Sequence, residues 1–247
     1  MSILKLNNVS LTYFSKNGET KALDNISLDI KEKEFVSIVG PSGCGKTTIL
    51  SLISGLLKPT DGNIEINNNS SENMIGYMFQ KDELFEWRTI LDNIYLGLEI
   101  QKKLNNDSKE YVEGLLKKYG LWDFRNSHPS QISGGMRQRA ALIRTLALQP
   151  KILLLDEAFS ALDYQTRLNV CDDVYKILKE EGITSILVTH DISEAISMSD
   201  RIIVLTKRPA TIKTIHNINL SHIDTPLKRR ESNESKELFN TIWEELQ

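Results

Sequence analysis

The sequence predicts an α/β fold built around a mainly parallel β-sheet, and two observations carry this prediction. Short runs of apolar and β-branched residues occur at 35–39, 152–155, 184–190 and 201–206. Between the later runs, apolar residues recur every three or four positions, which is the spacing of one helix face. Strands that alternate with helices along a chain are typical of a parallel sheet.

Each predicted element has its own signal. The run at 152–155 is apolar at every position, as in a strand that is buried on both faces. Helical patterns occupy 168–178 and 192–198. Another helix face is formed by Ile49, Leu50, Ile53, Leu56 and Leu57, and Pro59 is expected to end that helix. The polar segment 67–73 is expected to be a turn.

The composition limits the class of protein. The chain has 247 residues, of which 40% are hydrophobic and 26% charged, as in ordinary soluble proteins. Lysine and arginine total 30 against 33 acidic residues, so the formal charge is −3. Because nucleic-acid binders usually carry a basic excess, no nucleic acid is expected as a partner. No leader and no apolar run of about 20 residues is evident, so we expect a cytosolic chain.

A glycine-rich segment follows the first predicted strand of the parallel sheet. It matches the G-x-x-x-x-G-K-T pattern and consists of Gly40, Pro41, Ser42, Gly43, Cys44, Gly45, Lys46 and Thr47. Backbone N–H groups of such a loop close around phosphate oxygens at the start of a helix. Lys46 is placed to reach the β- and γ-phosphates, and the Thr47 hydroxyl to bind Mg²⁺. The alternative is a glycine-rich turn with an incidental lysine, which leaves the flanking strand and helix unexplained.

Two adjacent acids follow the apolar run at 152–155. Ligands of open α/β sheets bind at the carboxyl ends of the strands, so Asp156 and Glu157 are expected to face the glycine-rich loop. Asp156 is then the acid beside Mg²⁺, and Glu157 is the candidate that polarises the attacking water. His190 ends the predicted strand 184–190 and is favoured as functional, although a lone histidine there is more often structural. For the acid pair, the alternative is a solvated strand end.

A second glycine turn lies at 132–139, with the sequence ISGGMRQR. Ser133 is a helix cap, Gly134 and Gly135 permit close approach, and no acid lies in the first turn of a helix expected to run to Pro150. If two chains pair head to tail, this end of one chain can complete the nucleotide site of the other. The alternative of a serine-capped surface helix stays open from this segment alone.

Five motifs in this order resemble the ATP-binding subunit of ABC transporters over nearly the whole chain. They are GPSGCGKTT, the glutamine after IGYMF, ISGGMRQR, ILLLDEAFSALD and VTHD. The resemblance implies a P-loop NTPase core with an N-terminal antiparallel β subdomain and ATP and Mg²⁺ as ligands. It implies a single domain of 1–247, with an inserted α-helical subdomain at 84–148 and a short C-terminal extension at 207–247.

The resemblance also implies roles for individual residues. Tyr13 stacks on adenine unless the neighbouring Phe14 takes that place, and Thr48 completes the phosphate loop. Gln80 senses Mg²⁺ and the γ-phosphate, and His190 is the switch histidine. It further implies that Ser133, Gly134 and Gly135 contact the γ-phosphate held by a second copy of the chain. Asp163 would lie at the dimer seam.

This sequence departs from the family pattern at three positions. Ile132 and Met136 stand where the signature motif usually has leucine and glutamine. Ala158 stands where proline usually follows the acid pair, so the turn loses a restraint on φ. The groups that carry the chemistry remain in place.

The segment FEWR at 85–88 and the helical tail resemble the nitrate, sulfonate and taurine importer group. This implies ATP hydrolysis at the cytoplasmic face of the membrane, energising import of a small organic or inorganic anion such as a sulfonate or nitrate. Thiamine-precursor importers share these features, so that alternative stays open, as does a soluble non-transport ABC ATPase. The implied partners are transmembrane permease subunits, an extracellular or periplasmic solute-binding protein and a second copy of the chain.

Three surface features carry further expectations. Phe85, Trp87 and Ile90 are expected to form a groove for a short cytoplasmic helix of a membrane partner, or alternatively to be core residues, with Trp87 more internal than Phe85. Cys44 lies beside Lys46 at a helix start, which favours a reactive thiolate, or it is an inert small residue. The charge run Lys228, Arg229 and Arg230 is expected to be a solvated face, or else to touch lipid headgroups.

Overall fold

The computed structural model describes residues 2–15, 18–67 and 75–247. The turn expected at 67–73 lies outside these residues except for its first position. Nine strands of the described chain form two sheets: β1 (Ser2–Ser15), β2 (Gly18–Lys31), β3 (Phe35–Val39), β4 (Asp61–Ile66), β5 (Ile75–Met78), β6 (Ile152–Asp156), β7 (Thr184–Val188), β8 (Arg201–Leu205) and β9 (Ile212–Asn217).

The helices of the described chain are α1 (Lys46–Ile53), α2 (Ile90–Ile100), α3 (Asn106–Lys118), α4 (Gly134–Leu146), α5 (Tyr164–Glu180), α6 (Ile192–Met198), α7 (Pro226–Glu231) and α8 (Asn233–Leu246). Short 3₁₀ turns at 122–124 and 129–131 separate α3 from α4. The region 84–148 therefore contributes α2, α3 and α4 between two strands of the parallel sheet.

The larger sheet confirms the predicted fold class. Its strand order is β5-β6-β7-β3-β8-β9, and every pair is parallel except the antiparallel pair of β8 and β9. The smaller sheet is antiparallel in the order β2-β1-β4. All four predicted strands form, but β7 and β8 end at Val188 and Leu205, earlier than expected.

The central strands form because their side chains are buried on both faces. Leu153 and Leu155 of β6 point into the core that α4 and α5 cover. Ile152 and Leu154 of the same strand point into the core beneath α1 and the antiparallel sheet. A strand shielded from water on both sides can be apolar at every position, which explains why the run is readable in the sequence.

Two predicted helices end earlier than the sequence suggested. The helix α1 stops at Ile53, because Gly55 turns the chain into the left-handed region with φ of 77°. Leu56 therefore does not continue the buried face and is 69% exposed, whereas Leu57 packs against the core. The helix α4 ends at Leu146 rather than Pro150.

The C-terminal region packs against α5 and α6. Ile242 of α8 is fully buried with Ile192, Ile196 and Val204 in a third apolar cluster. Arg229 is also buried, which makes the expectation of a solvated or lipid-facing charge run wrong at this position. Its guanidinium donates to the carbonyl oxygens of Ile223 and Ser197 and to the Tyr175 hydroxyl.

We expect Arg229→Ala to lower the free energy of unfolding by about 3 kcal/mol, because two carbonyl oxygens and one hydroxyl lose their buried donor. The matched control is Lys228→Ala, since the Lys228 side chain is 65% exposed and its ion pair within the described chain is a long one, with Asp224 at 3.8 Å. The control should change stability by less than about 0.5 kcal/mol. Urea denaturation of both variants measures this, and equal stability of the two would contradict the structural role of Arg229.

Candidate functional site

The glycine-rich loop joins β3 to α1 and is shaped by its lysine. Lys46 is only 6% exposed, and its Nζ donates to the carbonyl oxygens of Gly40 at 2.9 Å and Pro41 at 3.1 Å. Gly45 has φ of 126°, and a Cβ there would lie 2.9 Å from the Leu23 side chain. No side chain caps α1, so the N–H groups of its first turn are available to an anion.

Cys44 in this loop does not fulfil the expectation of a reactive thiolate. Its side chain is 1% exposed, and burial is the largest effect on the thiol and raises its pKa. The positive charge of Lys46 lowers the pKa, but by less than burial raises it. Cys44 therefore fits the alternative of an inert small residue.

Oxygen ligands meet beside the loop, at the carboxyl end of β6. The Thr47 hydroxyl donates to Asp156 Oδ1 at 3.0 Å, and the Tyr77 hydroxyl donates to Asp156 Oδ2 at 2.9 Å. Burial, with the nearby Asp156 charge, raises the pKa of Tyr77, so its hydroxyl stays a donor at neutral pH. Hydroxyl and carboxylate oxygens are ligands that Mg²⁺ prefers. The Thr47 and Asp156 side chains therefore fit this metal.

The second acid and the histidine also meet. Glu157 Oε2 lies 3.3 Å from His190 Nδ1, and the Glu157 N–H donates to the Val188 carbonyl at 2.8 Å. Glu157 has φ of 47°, and a left-handed conformation in a residue other than glycine often marks a functional site. His190 lies just beyond the end of β7 and is 60% exposed in its side chain, so it is accessible from the same edge.

Gln80 is joined to the acid pair through a serine that the sequence did not single out. The Gln80 Nε2 donates to Ser160 Oγ at 3.0 Å, and that hydroxyl donates to the Glu157 carbonyl at 2.9 Å. The bond uses the amide nitrogen of Gln80, which leaves its amide oxygen for the role in metal binding that the resemblance implies. The structure thus brings Gln80 to the loop that follows Glu157.

Two arginines of α4 hold the loop that contains Gln80, here called the Gln80 loop (residues 79–89). The Arg144 guanidinium donates to the carbonyl oxygens of Glu83 at 2.6 Å and Asp82 at 2.7 Å. Arg137 Nε donates to the Asp82 carboxylate at 3.1 Å. Sequence reasoning missed both contacts. The available signal was their spacing, because residues seven positions apart lie on one helix face.

The Ser133 end of α4 forms as expected. The Ser133 hydroxyl accepts a hydrogen bond from the Met136 N–H at 3.3 Å, and no acid lies in the first turn. A Cβ on Gly135 would lie 3.1 Å from Val170 and 3.2 Å from Thr166, so close packing on α5 favours glycine there. This geometry suits a γ-phosphate contact and a capped surface helix equally, and both interpretations stay open.

Three other residues lie around this edge. The Tyr13 hydroxyl lies 3.3 Å from Thr48 Oγ1, whereas Phe14 is 69% exposed, so Tyr13 is the aromatic residue beside α1.

Asp163 caps α5 by accepting from the Thr166 N–H at 3.0 Å, and hydrogen bonds from Thr166 lower its pKa. Arg208, which sequence reasoning missed, donates to the Gly43 carbonyl of the phosphate loop at 2.6 Å.

The Gln80 loop also carries the two aromatic residues expected at a partner surface. Phe85 and Trp87 stack with ring centroids 4.7 Å apart, and Trp87 is 73% exposed against 37% for Phe85. The expectation that Trp87 is the more internal of the two is wrong. Ile90 is fully buried at the start of α2, so its place in a groove is also wrong. Buried Asn93 fixes this part of the loop through two hydrogen bonds with the Phe85 backbone.

We expect Arg144→Ala to lower the kcat of ATP hydrolysis about tenfold and to change KM for ATP less than about twofold, because Gln80 loses its support while the phosphate loop is intact. Arg144→Lys should restore little, since one ammonium cannot reproduce the planar fork that reaches both carbonyls. The control is Arg139→Ala, because Arg139 on the same helix donates to Tyr119 instead. Equal losses of kcat in the two alanine variants would contradict a specific role of Arg144.

Comparison with known proteins agrees with this geometry. The family model described as ABC transporter matches residues 23–160. The chain is 47% identical to an uncharacterized ABC transporter ATP-binding protein, YtlC of Bacillus subtilis, over 100% of this chain and 96% of that protein. It is 38% identical to the taurine import ATP-binding protein TauB of Jannaschia sp., covering 99% and 95% of the two chains.

Two further matches concern transport and the assembled state. The nitrate transport protein NasD of Klebsiella oxytoca is 38% identical over 88% of this chain and 86% of its own. A solved dimeric ATP-binding cassette, in a post-hydrolysis state with ADP and phosphate bound, superposes with a TM-score of 0.72. That cassette is 36% identical, and the match covers 87% of this chain and 99% of the other.

Proposed function

The chain belongs to the ABC transporter family, and we propose that it energises import of a small organic or inorganic anion such as a sulfonate or nitrate. ATP-binding subunits of this family bind ATP, pair as dimers and hydrolyse the nucleotide in association with membrane permeases. Support for an anionic solute comes from relatives named for taurine import and nitrate transport. The ATP-binding site itself does not indicate which solute is transported.

One observation carries the ATPase chemistry: five side chains lie at the carboxyl ends of three parallel strands. Lys46 and Thr47 follow β3, Asp156 ends β6 and Glu157 follows it, and His190 follows β7. We propose that Lys46 binds phosphate oxygens and that Thr47, Asp156 and Gln80 hold Mg²⁺, which neutralises phosphate charge when bound. Glu157 polarises the attacking water, and His190 positions the Glu157 carboxylate at 3.3 Å.

A second copy of the chain completes the proposed site. Ser133, Gly134 and Gly135 contact the γ-phosphate held by the partner copy, and Asp163 lies at the seam between copies. Support comes from the dimeric cassette that this chain resembles and from the exposed Ser133, which caps a helix whose first turn holds no acid. Tyr13 is the proposed adenine platform, because its hydroxyl reaches Thr48.

The proposed place of action is the cytoplasmic face of the membrane. In the part of the chain that the structure describes, no helix has the length and apolarity needed to cross a bilayer. From the likeness to import ATP-binding proteins, association with the membrane is proposed to run through permease subunits, with the exposed Phe85 and Trp87 as the contact. A solute-binding protein would act indirectly, on the far side of the permease.

We expect Glu157→Gln to keep Mg-ATP binding and to lower kcat by about 10² or more, the usual loss for a general base. With ATP present, the variant should elute as a dimer on a sizing column, because the nucleotide is retained. Adding Ser133→Arg to this variant should abolish the dimer if Ser133 contacts nucleotide across the interface. Undiminished turnover in Glu157→Gln would contradict the proposed role of this acid.

The transported solute is tested by uptake. Cells lacking the gene should lose uptake of an alkanesulfonate or of nitrate, and wild-type protein should restore it while Glu157→Gln does not. Loss of thiamine-precursor uptake instead would assign the alternative importer class. Normal uptake of all three solutes would contradict import of these classes by this subunit.

We expect Trp87→Ala to weaken binding to the permease by about 2 kcal/mol, because an exposed stacked aromatic residue is a typical interface anchor. Melting temperature and ATP affinity should hardly change, since the side chain is largely in solvent. The matched control is Trp243→Ala, which removes another stacked tryptophan that is 52% exposed. Equal retention of the permease by both variants in co-purification would count against a docking role of Trp87.

A further inference from the structure

A cavity of about 260 Å³ lies between α6 and the C-terminal helix α8. It is separate from the residues proposed to bind ATP. The charged residues that line it are both cationic, Arg230 from the end of α7 and Lys236 from the first part of α8. Ser193 and Asn240 add polar groups at its wall. Among the described residues, no aspartate or glutamate lines this cavity.

Arg230 is incompletely satisfied where it stands. Its Nε donates to Ser197 Oγ at 3.3 Å, but its Nη2 is buried and makes no hydrogen bond to any described residue. Buried guanidinium nitrogens normally have partners, and this unpaired one belongs to a residue that lines the cavity. Arg230 also forms no ion pair with a carboxylate in the described part of the chain.

The positive charge of Arg230 acts on two carboxylates, Glu194 and Asp172, and works against the rise that burial causes in their pKa. Glu194 on α6 is 3% exposed, and burial, as the largest effect, raises its pKa toward the neutral form. Asp191 caps α6, and Arg167 lies 3.9 Å from its carboxylate. Asp172 on α5 accepts from the Leu227 N–H at 2.8 Å. None of these three carboxylates forms a direct ion pair with Arg230, whose side chain lines the cavity.

Two other residues that line the cavity are apolar. Ile196 is 1% exposed in the core cluster of α6 and α8, and Phe239 stacks on Trp243 with ring centroids 6.1 Å apart. The volume is slightly below the roughly 300 Å³ at which pockets for drug-sized ligands begin. A small ligand that carries one anionic group and a short apolar part matches both the cationic and the apolar residues of this lining.

We propose that this cavity binds a small organic anion, a sulfonate or carboxylate with a short alkyl chain, between α6 and α8. The anionic group is held by Arg230 and Lys236, with Ser193 and Asn240 as polar neighbours, and the alkyl chain packs on Ile196 and Phe239. Because Asp191, which caps α6, is next to His190, such a ligand would bind one helix away from the ATPase site. The inference does not depend on which solute is transported.

The test measures binding of 1-propanesulfonate to the full chain by calorimetry, without ATP and without a permease. We expect saturable binding at one site per chain and a melting temperature raised by about 5 °C at a hundredfold excess over Kd. Inorganic sulfate tests the anionic group alone and should bind about tenfold more weakly, because it lacks the alkyl contacts. The alcohol 1-propanol should not change the melting temperature at the same concentration.

Variants separate this site from general surface charge. Lys236→Gln should weaken 1-propanesulfonate about tenfold, and since Lys236 is exposed this variant should fold normally. Arg230→Gln should weaken it at least as much. Lys228→Gln, a neighbouring exposed lysine outside the cavity, should bind like the wild type.

Several outcomes would overturn the inference. Absence of saturable binding to the wild type, or equal binding by Lys236→Gln and Lys228→Gln, would remove the site. Sulfate bound as tightly as 1-propanesulfonate would refute the organic part of the proposal. If Arg230→Gln does not fold, Lys236→Gln against Lys228→Gln still decides the question. Because no ATP is present, failure here is distinct from failure of the proposed transport function.

Discussion

The hydrogen bonds that hold Asp156 are the constraint on which the rest of the site depends. Asp156 lies opposite Val188 in the pairing of β6 with β7, and Ile38 lies opposite Val188 in the pairing of β3 with β7. The three strands therefore end at one level, and their following residues share one edge. Thr47 and Tyr77 then fix both oxygens of the carboxylate. A shift in strand register would separate the phosphate loop from its acids.

The helix α4 links this edge to the aromatic surface. Ser133 caps the start of this helix. Further along, Arg144 holds the backbone of the Gln80 loop, and Arg137 holds the Asp82 carboxylate. That loop begins at the Gln80 contact with Ser160 and continues to the stacked Phe85 and Trp87, and Asn93 fixes the Phe85 backbone. A rigid displacement of α4 would move both the glycine turn and the aromatic pair, which is a physical route from nucleotide to membrane partner.

The sequence was sufficient for those features that depend on local order. The strand at 152–155 could be predicted because burial on both faces demands an apolar residue at every position. The phosphate loop and the acid pair could be predicted because their chemistry needs fixed residue types at fixed spacing. The sequence failed where exposure depends on distant packing. Leu56 and Trp87 are large and apolar yet exposed, whereas Ile90, shortly after Trp87 in the sequence, is buried.

Arginines account for several other contacts that sequence reasoning missed, and for one physical reason. A guanidinium carries five donors and is often satisfied by backbone carbonyls, which every residue supplies, so its partner leaves no mark in the sequence. Arg144 on the Gln80 loop, Arg208 on Gly43 and Arg229 on Ser197 all follow this pattern. The neighbouring Arg230 differs because one of its buried nitrogens lacks such an acceptor. A run of three cations at 228–230 thus contains a solvated, a structural and an incompletely paired residue, which charge counting alone could not distinguish.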